Sequence, residues 1–258
     1  MRCCGKISTD FHGTQQTGCA VKEYAMKQLK RVMLKLSGEA LAKEDGSFNE
    51  EEIKGIAAQV KTLYDQGMEI AVVIGGGNFW RGRTGVEIDR PKSDSIGMLA
   101  TIMNSIYVSE HFRYAGMKTA VLTPFICGTF TEQFSKDKAN EYFGQKKVLF
   151  FAGGTGHPYF STDMAMALRA IEINADCILA AKSIDGVYDK DPAKNPDAKK
   201  FDKLSIYEVV EKGLQVIDLA AAVLCMENKM PMRLFSLYEK DSIINALGDS
   251  FTGTEITV

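Results

Sequence analysis

Short, densely apolar runs alternate along the chain with longer stretches in which apolar residues recur every three or four positions. The first run, Arg31-Val32-Met33-Leu34-Lys35-Leu36, has the density of a parallel strand covered on both faces. Residues 49–66 then read as an amphipathic helix. Asn49 is its cap, Glu50 to Glu52 fill the first turn, and Ile53, Ile56, Val60, Leu63 and Tyr64 share one face, with Gly67 as the stop. Glu69 to Ile74 is the second strand. The same alternation predicts a helix near 94–115, a strand at 118–123, a helix near 135–143, a strand at 147–152, a helix near 162–174 and a strand at 176–181. Helical patterns near 205–212 and 217–229, a strand at 232–235, a short helix near 239–247 and a strand near 253–257 complete the chain. Strands that alternate with helices predict an α/β fold, a mainly parallel sheet with helices on both faces. Residues 1–25 are polar and without periodicity, and read as a disordered tail outside the fold; residues 26–258 read as a single domain with two lobes.

Composition narrows the chemistry. The 258 residues carry 31 Lys+Arg against 33 Asp+Glu, a formal net charge of −2. A general nucleic-acid binder would carry a basic excess, so no nucleic-acid partner is expected. Any anionic ligand must be met by cations placed locally. No apolar run reaches the roughly 18–20 residues that cross a bilayer, and the first residues lack a signal peptide's apolar core; no membrane association is expected and the cytoplasm is the default compartment. The six cysteines, at 3, 4, 19, 127, 177 and 225, include no Cys-x-x-Cys pair, and the three histidines, at 12, 111 and 157, are far apart. That spacing offers no metal-binding motif. Cys127, Cys177 and Cys225, each beside apolar residues, read as small core hydrophobes.

In open α/β sheets ligands bind beyond the carboxyl ends of the strands, and three of the loops at such ends are unusual. Lys35-Leu36-Ser37-Gly38-Glu39-Ala40 ends the first strand. An ammonium in an apolar strand needs an anionic partner or a route to solvent, and the Ser-Gly turn lets backbone amides approach an anion. Ile74-Gly75-Gly76-Gly77-Asn78-Phe79-Trp80-Arg81 follows the second strand. Three glycines remove bulk where a ligand or another backbone comes near, and Arg81 adds a fork of donors suited to phosphate. Gly153-Gly154-Thr155-Gly156-His157-Pro158-Tyr159-Phe160-Ser161-Thr162-Asp163 leads into a helix, whose free amides and dipole favour an anion. Asp185-Gly186-Val187-Tyr188 is at least an Asp-Gly turn; Tyr188 has a ring able to stack on a base, and Asp185 and Asp191 have carboxylates suited to a ribose or a metal-bound water. Asp94, just before a long helix, reads most simply as its N-cap. No Walker A sequence or protein-kinase signature occurs. These loops describe a phosphate-handling enzyme of another build.

Five blocks in order, Lys35 to Ala40, Val73 to Asn78, Gly97-Met98-Leu99-Ala100-Thr101, Gly154 to Asp163 and Asp185 to Tyr188, resemble the bacterial uridylate kinases of the amino-acid kinase superfamily. The likeness runs from about Lys30 to the C-terminus. It implies a three-layer α/β/α sandwich around a mainly parallel sheet, a homohexamer built as a trimer of dimers, and the reaction ATP + UMP → ADP + UDP with Mg²⁺, a step toward CTP. Carried over by residue, the resemblance implies that Lys35, Leu36, Ser37, Gly38, Gly77 and Arg81 hold the ATP phosphates, with Lys182, Tyr188 and Asp191 on the adenosine side. It implies that Gly76, Asp94 and Thr155, Gly156, His157, Pro158, Tyr159, Phe160, Ser161 and Thr162 hold UMP. Lys35, Arg81, Asp163 and Asp218 are the implied catalytic set, with Mg²⁺ held mainly by the ATP phosphates. The chain departs from the family pattern at His157, usually Asn, and at Ser183, usually Lys or Asn. Ser109 and Ala120 stand where GTP-responsive members carry Arg, so the resemblance does not extend to a prediction about GTP. Another amino-acid kinase acting on a carboxylate, carbamate or isoprenoid phosphate, and a nucleotide-binding regulator without catalysis, are the alternative readings.

Overall fold

The computed structural model describes residues 29–43, 45–80, 87–214 and 217–258. The tail expected over 1–25 lies outside them. In chain order the elements are β1 (Arg31–Leu36), α1 (Glu50–Asp65), β2 (Glu69–Ile74), α2 (Arg90–Tyr114), β3 (Lys118–Thr123), β4 (Glu132–Gln133), α3 (Lys136–Gly144) and β5 (Lys147–Phe151). They continue with α4 (Thr162–Glu172), β6 (Cys177–Lys182), β7 (Val187–Tyr188), β8 (Lys200–Phe201), β9 (Lys203–Ser205), α5 (Ile206–Glu211), α6 (Leu219–Glu227), β10 (Met232–Ser236), α7 (Ser242–Asn245) and β11 (Thr254–Thr257). A short 3₁₀ turn, Glu39–Leu41, follows β1.

Among the described residues nine strands form one sheet in the order β4-β3-β5-β2-β1-β6-β10-β11-β9, and β7 pairs with β8 as a separate ribbon. Every pair in the large sheet is parallel except β10 with β11. Side chains alternate across a strand with period two, and the core divides accordingly. Met33, Ala71, Val73, Leu149, Phe151, Ile178 and Ala180 pack on one face under α3, α4, α5 and α6. Val32, Leu34, Ile70, Val72, Phe150, Cys177 and Leu179 pack on the other under α1, α2 and α7. Helix layers on both faces explain why the strands are apolar at nearly every position, and they make the three-layer α/β/α sandwich that the family resemblance implies.

Two expectations are corrected. Asp94 is not an N-cap: α2 begins at Arg90, with Asp89 at the cap and Pro91 in the first turn, where a residue lacking an N–H is tolerated. Cys127 is only half-buried in the loop after β3 and is not a core residue, because β3 has already ended when the chain reaches it. Cys177 and Cys225 are buried as expected, and burial pushes both thiols up to about 12, out of reach of nucleophilic work near neutrality. The small strands β4, β7, β8 and β9 were not legible from periodicity, since two or three residues cannot display a period.

Candidate active site

The sheet's order changes direction at its centre. From β1 the chain passes to β2 on one side and later to β6 on the other, so the crevice for a ligand opens where β1 and β6 end. Each of these strands carries a lysine at its carboxyl end, Lys35 as the penultimate residue of β1 and Lys182 as the last of β6. Lys35 follows Met33 on the α4 face by the period of two, and Lys182 follows Ile178 and Ala180 on that face. Two ammonium groups are thereby brought to one spot beneath the start of α4.

The carboxylates come from helix starts. Asp163 is in the first turn of α4, and its Oδ1 lies 3.2 Å from Lys35 Nζ with both side chains largely buried. Asp218 caps α6, accepting from the Ala221 amide at 2.9 Å, and also accepts a short hydrogen bond from the Ser161 hydroxyl. Ser161 in turn caps α4, accepting from the Met164 amide at 3.1 Å. One serine thus joins the starts of two helices. Lys182 senses all three charged neighbours. Burial holds its ammonium below the ordinary lysine range, Asp163 and Asp218 oppose that shift, and Lys35 adds to it.

Three cavities meet around this cluster. One of about 600 Å³ is lined by Ser161, Asp163, Lys182 and Asp218 with apolar residues of α5 and α6. A second, about 550 Å³, shares Lys182 and runs along Gly186, Tyr188 and Asp191. On the opposite side a third, about 500 Å³, shares Ser161 and is lined by Gly76, Gly77, Asp94, His157, Phe160 and Thr162. The arrangement is a groove with the Lys35–Asp163 pair near its middle and room for a ligand on each side.

The glycine loop after β2 is packed, not slack. A Cβ on Gly76 would lie 2.8 Å from the Gly97 carbonyl of α2, so this glycine is required for backbone to meet backbone. The Asn104 amide donates to the Gly75 carbonyl and to Asn78, each at 2.8 Å. Thr101 accepts from the Gly153 amide at 2.8 Å. One face of α2 therefore holds both glycine loops, a role that sequence reasoning missed. The sequence carries a trace of it: Gly97, Thr101 and Asn104 recur at helical spacing, as small or polar residues on a face that would otherwise be apolar. Arg90 was missed as well. Its Nε donates to Asp94 at 2.8 Å, and its guanidinium lies over the Tyr159 ring.

A model of the amino acid kinase family matches residues 30–236. The chain belongs to the amino acid kinase family. Within it, the chain is similar to the solved UMP kinase of Bacillus anthracis, with 36% identity over 89% of this chain and 96% of that one and a TM-score of 0.85. It is also similar to the UMP kinase of Ureaplasma parvum, with 30% identity over 90% of this chain and all of that one, again at a TM-score of 0.85.

In this amino acid kinase the expected site residues fall into distinct groups. Lys35, Asp163, Lys182, Asp218 and Ser161 converge. Gly76, Gly77, Asp94, His157, Phe160 and Thr162 line the third cavity, and Tyr188 and Asp191 line the second. The Leu36 side chain is wholly buried in the core, and its carbonyl accepts from Gly75, so it serves the scaffold. Gly38 packs against the Gly75 carbonyl beside the half-buried Ser37. Thr155, Gly156, Pro158 and Tyr159 shape the loop without lining the third cavity. Thr155 bonds its hydroxyl to His157, Gly156 takes a left-handed φ of +85° against Pro124, and the Tyr159 amide donates to Asp94 at 2.8 Å. Arg81 lies outside the described residues. Asp185 accepts from the Tyr188 hydroxyl on one oxygen and from Lys200 on the other.

Proposed function

We propose that this chain is a UMP kinase, transferring the γ-phosphate of ATP to UMP to give ADP and UDP on the path to CTP. The observation that carries this reading is the Lys35–Asp163 ion pair at the middle of a groove with a cavity on either side, in a chain 36% identical to a UMP kinase. The cavity along Tyr188 and Asp191 takes the adenosine. The one lined by Gly76, Asp94, His157 and Phe160 takes UMP, with the loop from Thr155 to Thr162 around it.

The acceptor needs no general base, because a phosphomonoester with a second pKa of about 6 is mostly dianionic at neutral pH. What remains is to align two anions and neutralise the charge that develops between them. Lys35 is oriented by Asp163 and meets the transferred phosphoryl group, Arg81 adds a second cation, and the amides of Ser37, Gly38 and Gly77 cradle the donor phosphates. Lys182 balances the donor side. Free amides at the start of α4 face the same groove.

Mg²⁺ characteristically takes one or two carboxylates plus phosphate oxygens, and the Asp163 and Asp218 carboxylates, which line the same cavity, fit that demand. Asp163 and Asp218 would help to hold it beside the nucleotide; when bound, it neutralises the donor phosphate oxygens. Exposed apolar residues along α2, with Leu99 at 52%, Met103 at 46% and Tyr114 at 92% exposure, support packing against another copy; the homohexamer, a trimer of dimers, follows from the resemblance alone. No described helix is long and apolar enough to cross a membrane, which suits a cytoplasmic enzyme. The deciding assay follows ADP release with UMP, CMP, carbamate and N-acetylglutamate as acceptors. Turnover with UMP far above the rest is expected, and none with UMP would refute the reading.

A further inference from the structure

Tyr188, in the wall of the adenosine-side cavity, belongs to a short ribbon whose Val187 is anchored in the core with Phe201 packed beside it. β7 and β8 are two residues each, and they stand apart from the large sheet. Ladder bonds of so short a pair cannot by themselves fix where the ribbon lies. Beside the Val187 burial, Lys200 adds polar contacts to the ribbon. It is the cross-strand partner of Tyr188 and is not among the residues lining the cavity. Its Nζ donates to Asp185 Oδ2 and to the Thr252 carbonyl, both at 2.9 Å, while the Tyr188 hydroxyl donates to the other Asp185 oxygen at 2.8 Å. Its aliphatic stem lies so close to Gly186 that a Cβ there would come within 2.6 Å of Lys200 Cδ. The neighbouring Val187 amide is bonded to Thr254 Oγ1 at 2.8 Å, so the ribbon is tied on both sides to the C-terminal segment around β11.

We propose that Lys200 is a positioning residue for the donor nucleotide: through Asp185 and the Thr252 carbonyl it fixes the β7–β8 ribbon and so holds Tyr188 in the cavity wall. The charges agree with the geometry. Asp185 bonding raises both Lys200 and Tyr188, and although partial burial pushes Asp185 upward, its bonds from Lys200 and Tyr188 outweigh that and hold its carboxyl below the usual range. Lys200 touches no substrate in this arrangement, so its loss acts on donor binding and leaves the phosphoryl-transfer residues in place.

This inference rests on the donor assignment made under the proposed function, and its test separates the two. Titration calorimetry with Mg²⁺·ADP and, separately, with UMP is run on the wild type and on Lys200→Met, Lys200→Arg, Tyr188→Phe and the Met/Phe double variant. For a half-exposed pair the expected weakening of ADP binding by Lys200→Met is about three- to five-fold, with UMP affinity and kcat near wild type. Lys200→Arg recovers most of the loss. Because one network is broken at two points, the double variant is no weaker than the worse single variant. Unchanged ADP affinity in Lys200→Met, equal losses for ADP and UMP, or fully additive losses would each overturn the positioning role while leaving the kinase reading intact. Absence of ADP binding to the wild type would instead overturn the donor assignment and this inference with it. Should Lys200→Met fail to fold, Tyr188→Phe and Lys200→Arg carry the same comparison.

Discussion

Two lysines with the same chemistry stand at the ends of neighbouring strands, and their surroundings divide the labour between them. Lys35 is held against a single carboxylate at 3.2 Å. Its replacement by Ala removes the cation nearest the site of transfer, and kcat is expected to fall by about two to three orders of magnitude, the scale of losing one preorganised electrostatic contact, with an unchanged oligomer by light scattering. Wild-type-like turnover would refute the role. Lys182 is shifted downward by burial first, so it loses its proton at a lower pH than an ordinary lysine, which titrates near about 10.4. Phosphate affinity follows that charge. The KM for ATP is expected to climb on the alkaline side, starting below the ordinary lysine range, and in Lys182→Arg the climb should vanish because the guanidinium does not titrate there. A limb that persists in the Arg variant would assign it to another group. Of these residues the sequence disclosed Lys35 as an oddity, a charge in an apolar strand, but its partner Asp163 is 128 positions away and only folding reveals the pair.

At the scale of elements, the site hangs on where helices begin. Ser161 closes the first turn of α4 and bonds to Asp218 at the start of α6. Ser161→Ala therefore removes a cap, costing about 0.5–2 kcal/mol in denaturant unfolding, and frees Asp218; kcat should fall by more than the KM for UMP rises. If stability drops while kcat stays unchanged, the bridge is structural only. Helix α2 does the complementary task. Asn104→Ala unpins the Gly75–Asn78 loop and leaves the Gly75 carbonyl without that partner, an effect on the order of 1–3 kcal/mol, and the expected readout is a lower melting temperature together with weaker UMP binding. Strands β1, β2 and β3 fall where their apolar density predicts them, because a strand covered on both faces leaves an unbroken apolar run. The start of α2 was misplaced by four residues, since its first turn is polar and its buried face carries Ser93, Thr101, Asn104, Ser105 and Ser109. Of these, Ser93, Thr101 and Asn104 bond to loop residues Trp80, Gly153 and Gly75.

For the whole molecule the essential fact is that three cavities adjoin along one edge of one sheet, the middle one sharing Lys182 with the donor side and Ser161 with the acceptor side. Two substrates can then be held at once, and the buried Cys225 thiol near Asp163 and Asp218 is raised to about 12, unfit as a covalent carrier. Initial-rate plots against ATP at several UMP concentrations are expected to intersect; parallel lines, the mark of a phosphoryl-enzyme intermediate, would contradict direct transfer. What the sequence determined by itself is the alternation of strands and helices, hence the α/β class, together with the glycine-rich loops at strand ends. These are local properties, set by the period of apolar residues and by the few residue types that permit tight backbone. What only the tertiary structure decided is which loops meet. The pairing of Lys35 with Asp163, the bond from Ser161 to Asp218 and the bracing of Tyr188 by Lys200 all join residues on separate elements. Strand order, which no local pattern encodes, brought Lys35 and Lys182 together beneath α4 by placing β1 and β6 side by side where the sheet changes direction.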